Sequence, residues 1–211
     1  MKIYNYTNSE SVIKILISEK IKFTLIDELN DPFEFQFDAE ERDHAQFDKI
    51  LRKQSAVFCC SKDPNNILML SHYANKHKGW FIEFEFNENP PNKNIAVAHV
   101  NYDRPKPDLK NLFKNLDDKH DSKKDMAPTK EETELIMQIV TTKDSHWAYE
   151  KETRFLLSKV GDELDHDNLF LTIQECGLAI KAVHKGCRVS KQDGEIVEKI
   201  IKTKNQNIEI I

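Results

Sequence analysis

No apolar run in this sequence approaches the ~20 residues that a helix needs to cross a bilayer, so a helical membrane span is excluded. The opening Met1-Lys2-Ile3-Tyr4-Asn5-Tyr6 lacks the apolar stretch of a signal peptide, and none is expected. Glycine is scarce, five among 211 residues, and none builds a G-x-G-x-x-G or Walker pattern. A Rossmann or P-loop nucleotide site is therefore not expected. The four cysteines, Cys59, Cys60, Cys176 and Cys187, show neither C-x-x-C spacing nor a regular framework. Adjacent Cys59 and Cys60 would point to opposite faces of a strand, and reduced thiols in a cytoplasmic protein are the expectation. His72 and His77 are five apart rather than at the i, i+4 spacing that sets two ligands on one helical face, so no metal site is assigned. A surplus of one charge sign is missing too. The formal net charge of −5 comes from interspersed residues, and nothing draws the whole molecule to nucleic acid. The Lys-rich piece 119–130 reads as a solvated loop.

What is present fits a soluble, charge-coated globule. Apolar residues make up 39 % and charged residues 32 %, and twelve Phe are available for burial. One domain over 1–211 is expected, with a loop or lid insertion around 103–130. That insertion carries three of the seven prolines and only a short Leu109-Leu112-Phe113-Leu116 stripe.

Residues 2–6 read as a first strand, and Thr7-Asn8-Ser9-Glu10 as a capping box for a helix that buries Val12, Ile15 and Leu16 and ends near Lys20. A short strand at 21–25 leads to a turn at Asn30-Asp31-Pro32. Phe33, Phe35 and Phe37 then alternate with Glu34 and Gln36 like a half-buried extended segment. A surface helix over 40–54 would turn Phe47, Ile50 and Leu51 inward, and 56–61 reads as an interior strand. Residues 64–74 have helical spacing, and 80–86 and 95–102 read as strands, antiparallel to each other across Asn89-Pro90-Pro91-Asn92. Thr129-x-x-Glu132 would cap a helix with Leu135, Ile136, Ile139 and Val140 on one face. Strands at 155–157, 169–173 and 178–184 follow, then a helix capped by Ser190 with Ile196, Val197, Ile200 and Ile201 inward, and a closing strand at 208–211. The fold class is α+β: a mixed, largely antiparallel sheet with inserted helices.

Three stretches mix carboxylates, aromatics and turn residues in a way that neither loop nor core requires. They are Asn30-Asp31-Pro32-Phe33-Glu34, the run from Ser71-His72-Tyr73 to His77-Lys78-Gly79, and Trp147-Ala148-Tyr149-Glu150-Lys151-Glu152-Thr153-Arg154. The first is either a rigid turn aiming Phe33 at the core or a place where Asp31 or Glu34 takes a ligand hydroxyl. In the second, His72 or Tyr73 would stack on a ligand or donate to it, and Lys76, His77 and Lys78 together would meet an anionic phosphate; the plain alternative is that these three basic residues face solvent. In the third, an extended chain puts Glu150, Glu152 and Arg154 on one face, whereas a helix pairs Glu150 with Arg154 on the surface. As a site it would set a carboxylate, oriented by Arg154 and walled by Trp147 and Tyr149, against a polyol. Such a carboxylate stabilises positive charge on a neighbouring carbon, which suits cleavage of a glycosidic bond.

With these motifs the chain resembles, almost end to end, a bacterial and phage domain-of-unknown-function family, the one numbered twenty-nine seventy-one. The resemblance is carried by Ile3-Tyr4-Asn5-Tyr6, Asn30–Glu34, Cys59-Cys60-Ser61, the segment 72–79, Val100-x-Tyr102, Trp147-x-Tyr149-Glu150-x-Glu152-x-Arg154 and Ile180-x-x-Val183-x-x-Gly186. More distantly the chain is similar to ADP-ribosyltransferase-like proteins. That likeness implies NAD as substrate, Glu152 as the late-strand acid with Glu150 second, and Tyr4 or Asn5 at the first-strand position. It departs from the pattern in having neither His nor Arg in residues 1–6.

The leading expectation is an enzyme-like domain with Glu152, Glu150 and Arg154 at the chemistry. Tyr73, Trp147 and Tyr149 would be stacking walls, and His72 and Lys78 phosphate contacts, in phage defence or as a toxin. A small nucleotide is the expected ligand; the acceptor macromolecule is left open. A non-catalytic ligand- or protein-binding module and a metal-dependent hydrolase are the competing classes.

Overall fold

The computed structural model describes residues 1–41, 51–110, 130–158, 164–165, 169–204 and 207–211. Its strands are β1 (Lys2–Thr7), β2 (Lys20–Lys22), β3 (Thr24–Leu25), β4 (Ser55–Ser61), β5 (Trp80–Phe86), β6 (Ile95–His99), β7 (Glu152–Ser158), β8 (Phe170–Thr172), β9 (Leu178–Lys185) and β10 (Glu209–Ile210). Among the described residues its helices are α1 (Ser9–Ser18), α2 (Ile67–His72), α3 (Lys130–Thr141) and α4 (Lys191–Thr203), and residues 51–54 are helical as well. Phe47, Ile50, Leu112, Phe113, Leu116 and the Thr129 cap lie outside the described residues, as do the side chains of Glu132 and Leu135.

The main sheet runs β10-β9-β5-β1-β4-β7-β6, with β3 beside β4. All its pairings are antiparallel except β9 with β10, and β2 with β8 forms a separate antiparallel ribbon. The expected α+β class with a largely antiparallel sheet stands. The expected hairpin between 80–86 and 95–102 does not form. β5 is buried except at Glu85 and is flanked by β1 and β9, while β6 pairs with β7 towards the far end of the sheet.

Burial explains the layers. Alternation along β4 and β7 sends Ala56, Phe58, Phe155 and Leu157 to one face, where Val12 and Leu16 of α1 and Val197 and Ile201 of α4 cover them. The opposite face carries Val57 and Leu156 under Phe35, Phe37, Leu109, Ile139 and Val140. A smaller cluster joins Tyr4 and Tyr6 to Met69, Ala74 and Phe81. Within the expected lid, 107–109 lies against the body, where Asp38 bridges Asp108 and Leu109 is fully buried; 103–106 is exposed, and 111–129 is outside the described residues.

Several local expectations change. Asn8, not Thr7, caps α1, accepting from the Ser11 amide at 2.8 Å, because Thr7 is still pairing with Trp80 in β1. Glu10 pairs with Lys14 instead of reaching back to an amide. Residues 32–35 form a turn rather than an extended segment. The Asp31 carboxylate accepts from the Phe33 amide at 2.9 Å, the Asp31 carbonyl accepts from the Glu34 amide, and Phe35 adopts φ 60°. The reversal leaves Phe33 73 % exposed and buries Glu34 in its place.

Strand pairing opens a gap in the sheet. β3 occupies the edge of β4 at Ala56 and Val57, and β1 meets β4 only at Tyr4 opposite Ser61. The two strands therefore splay, tied by the Asn5 side-chain amide donating to the Cys59 carbonyl at 3.0 Å. Towards Gly79 the packing is close: a Cβ there would stand 2.3 Å from the Thr7 carbonyl oxygen, so no larger residue fits beside the end of β1.

Candidate functional site

The stretch 147–154 is neither wholly extended nor wholly helical. Asp144 accepts from the His146 amide at 2.9 Å and starts a 3-10 turn, Ser145–Glu150. Lys151 ends the turn in the left-handed region at φ 46°, and β7 begins at Glu152. Glu152 and Arg154 thus share one face of β7, and the turn carries Glu150 back towards them. The surface pair of Glu150 with Arg154 considered from sequence does not form: Glu150, Glu152 and Arg154 are 3 %, 5 % and 1 % exposed, and Arg154 pairs with Glu152 and Glu34 instead.

Around them five ionic side chains close a network. Lys143, just past α3, places its ammonium 2.9 Å from Glu34, 2.6 Å from Glu150 and 3.1 Å from Glu152. Arg154 donates through Nε to Glu152 at 2.8 Å and through Nη2 to both Glu152 and Glu34. Its Nη1 donates to the Val140 carbonyl at 2.9 Å, and the guanidinium lies over the Phe35 ring. Glu34 and Glu152 therefore each meet both cations, but Glu150 meets only Lys143. Its other oxygen accepts from the Tyr73 hydroxyl at 2.5 Å, and that hydroxyl accepts from the Asn30 amide at 3.0 Å.

This asymmetry separates the two carboxylates of the motif. Burial raises the Glu150 carboxyl above its ordinary value, and Lys143 and Tyr73 offset only part of that. Burial acts the same way on Glu152, but Arg154 and Lys143 outweigh it and hold that carboxyl at about 2. Burial also works against the Lys143 charge, and its three carboxylates reverse the effect and keep it protonated. Desolvation, then the Glu150 carboxylate, pushes the Tyr73 phenol up, so it stays a donor.

The network forms one end of a cavity of about 540 Å³ that opens where β1 and β4 splay. Of the residues singled out from sequence, Tyr4, Asn5, Glu34, Tyr73, Glu150 and Glu152 line it. Arg154 lies beneath, holding Glu34 and Glu152 without lining the space. Asp31 serves the turn. His72 is exposed, its ring 6.1 Å from Tyr149, and Trp147 covers the Lys143 ammonium at 5.1 Å; neither lines the cavity. Lys78 is exposed and also lies off the lining; exposed Lys14, Lys20 and Lys22 line it instead. Among the described residues no group of His, Cys, Asp and Glu converges as a metal-ligand set.

Sequence reasoning missed Lys143, and it quoted Asn30 and Cys59 within motifs without giving them a place in the site; all three line the cavity. Lys143 precedes the 3-10 turn Ser145–Glu150 and shares no regular face with the motif, so its spacing does not mark it.

No curated protein and no solved structure matches the chain. A match to a protein family spans Tyr73, Lys143, Glu150, Glu152 and Arg154, and leaves out the turn that supplies Glu34. Residues 69–155 match the profile of a family described as "Protein of unknown function (DUF2971)", and over that span the chain is similar to its members.

Proposed function

We propose that the chain cleaves an N-glycosidic bond of a nucleotide, with the nicotinamide–ribose bond of NAD as the substrate bond, in the manner of ADP-ribosyltransferase-like enzymes. One observation carries this: two carboxylates two residues apart line one cavity and are reached unequally by the cations, Glu152 by Arg154 and Lys143 and Glu150 by Lys143 alone. That holds Glu152 below and leaves Glu150 above the ordinary carboxylate value. Such a separation assigns roles. Glu152, ionised throughout the neutral range, stabilises the oxocarbenium-like ribose as the bond from C1′ to the ring nitrogen breaks and its electron pair leaves with the neutral nicotinamide. Glu150, with its higher proton affinity, takes the proton of the attacking hydroxyl as the new bond to C1′ forms. The acceptor is water or a macromolecular hydroxyl. Tyr4 and Tyr73 supply ring surface along the cavity, and Arg154 orients Glu152.

Incubation of the purified protein with NAD is the test, with release of nicotinamide as the readout. Glu152→Gln is expected to lower turnover by about 100-fold or more while the fold persists. Absence of nicotinamide release, or unchanged release by Glu152→Gln, would overturn the assignment.

A second reading is favoured by a separate observation: both oxygens of Glu152 are already engaged, by Arg154 at 2.8 and 3.1 Å and by Lys143 at 3.1 Å. A closed network of this kind suits a non-catalytic cleft that senses a small molecule. Under that reading NAD raises the unfolding temperature and no product forms.

A further inference from the structure

Three carboxylates, Glu34, Glu150 and Glu152, face two cations, Lys143 and Arg154, in the buried network. With all five ionised, the cluster holds one negative charge in excess. Geometry places that excess on Glu150, since Arg154 reaches the other two carboxylates and not this one. A buried net charge is costly unless something neutralises it. Glu150 also lines the cavity beside the Tyr73 ring, so a ligand can reach what the protein leaves unbalanced.

We propose that this end of the cleft selects ligands bearing a positive charge on an aromatic ring, with the charge set opposite Glu150 and the ring against the tyrosine walls. The inference rests on the function proposed above and specifies the substrate class of that site: an N-substituted pyridinium is taken in preference to its neutral counterpart. Aromatic faces favour a cation for the same electrostatic reason as the carboxylate does.

In the free protein, burial and the unbalanced charge raise the proton affinity of Glu150, and a proton taken up there as pH falls discharges the cluster. The ligand's charge takes its place and the proton leaves to solvent, which also readies Glu150 to act as a base. The groups facing Glu150 are Lys143 after α3, Tyr73 after α2, Glu152 on β7, Tyr102 after β6, and Tyr149 in its own turn. Tyr73 and Tyr102 are pushed further from titration by burial, so Glu150 is the group in this set that exchanges its proton on ligand binding.

The experiment is calorimetric titration of the full chain with 1-methylnicotinamide, a pyridinium cation, and with nicotinamide, its neutral counterpart. At neutral pH the cation is expected to bind at least about tenfold more tightly. Its affinity should fall as pH is lowered, by up to about tenfold per unit where Glu150 holds its proton, with one proton released per ligand bound; nicotinamide should show no such trend. Glu150→Gln removes the excess charge and should abolish the preference, with circular dichroism reporting that the fold is kept. Should that variant fail to fold, the pH dependence of the unaltered protein decides. Equal affinities, no binding of either compound, or a preference that survives Glu150→Gln would overturn the inference. NAD cleavage is scored separately: cleavage without a preference for the cation sinks the inference alone, and the preference without cleavage sinks the proposed activity alone.

Discussion

Arg154 illustrates how one side chain can be central to a site without touching a ligand. It is 1 % exposed, pairs with two carboxylates and caps the Val140 carbonyl at the end of α3. Arg154→Met would leave Glu34 and Glu152 short of a partner in a buried setting, and removing one partner of such a pair costs about 3–5 kcal/mol. Chemical denaturation is expected to register that loss directly. Lys143→Met should be of similar size, but with a different signature. Because Lys143 is the cation that meets Glu150, its removal is expected to raise the Glu150 titration further and to move the acidic limb of any pH–rate profile upward. A purely structural loss would lower activity without moving that limb. The carboxylates, the arginine and the aromatic neighbours were all legible as a motif from their spacing. Lys143 was not singled out, because a lysine after a helix is ordinarily a solvated residue and only packing brings it to 4 % side-chain exposure.

Short elements, rather than long ones, set the geometry of the cleft. Asn66 caps α2 by accepting from the Leu68 and Met69 amides at 3.0 and 3.2 Å, and its side-chain amide donates to the Tyr149 carbonyl at 2.5 Å. One residue thus joins the helix that presents Tyr73 to the turn that presents Glu150. Asn66→Ala is expected to cost about 1–2 kcal/mol, typical of a lost cap, while Asn66→Asp keeps the cap and removes only the tie to Tyr149. Thermal melts of the two variants would separate the contributions, and a melt of Asn66→Ala equal to the unaltered protein would contradict them. Most strands and helices followed from hydrophobic period and capping residues, as at Ser190, whose hydroxyl accepts from the Asp193 amide at 3.0 Å. The segment 30–37 did not, since alternating Phe and Glu satisfies a strand pattern equally well. There the Asp31 carboxylate bonding to the Phe33 amide reverses the chain before a strand can extend.

For the molecule as a whole, the two motif carboxylates pull stability in opposite directions with pH. Glu152 has its folded value lowered to about 2 from 4.5, so its contribution is present above 4.5 and lost as pH falls through about 2. Glu150 has its folded value raised, so its contribution is present below 4.5 and is lost as pH rises through the raised value. Glu152→Gln should therefore lower the unfolding temperature at neutral pH, and Glu150→Gln should lower it less there than in acid relative to the parent. Unfolding temperatures measured from about pH 2 to 8 would check both, and parallel profiles for the two variants would refute the assignment. The sheet adds a global feature that no local pattern contained. β3 takes the edge of β4 at Ala56 and Val57 and leaves β1 a single pairing there, so the cavity is a gap in the sheet itself.

Periodicity, turn chemistry and the order of motifs were enough to specify an α+β chain with carboxylates, tyrosines and an arginine worth watching, because those signals act over a few residues and survive without knowledge of neighbours. Strand partners, the burial of the ion network and the recruitment of Lys143 and Asn30 needed the folded molecule. Pairing between distant strands depends on which edges remain unoccupied once β5 is covered on both sides. A carboxylate's charge state depends on how many cations reach it, and sequences that place Glu150 and Glu152 two residues apart say nothing of the fact that Arg154 reaches only one of them.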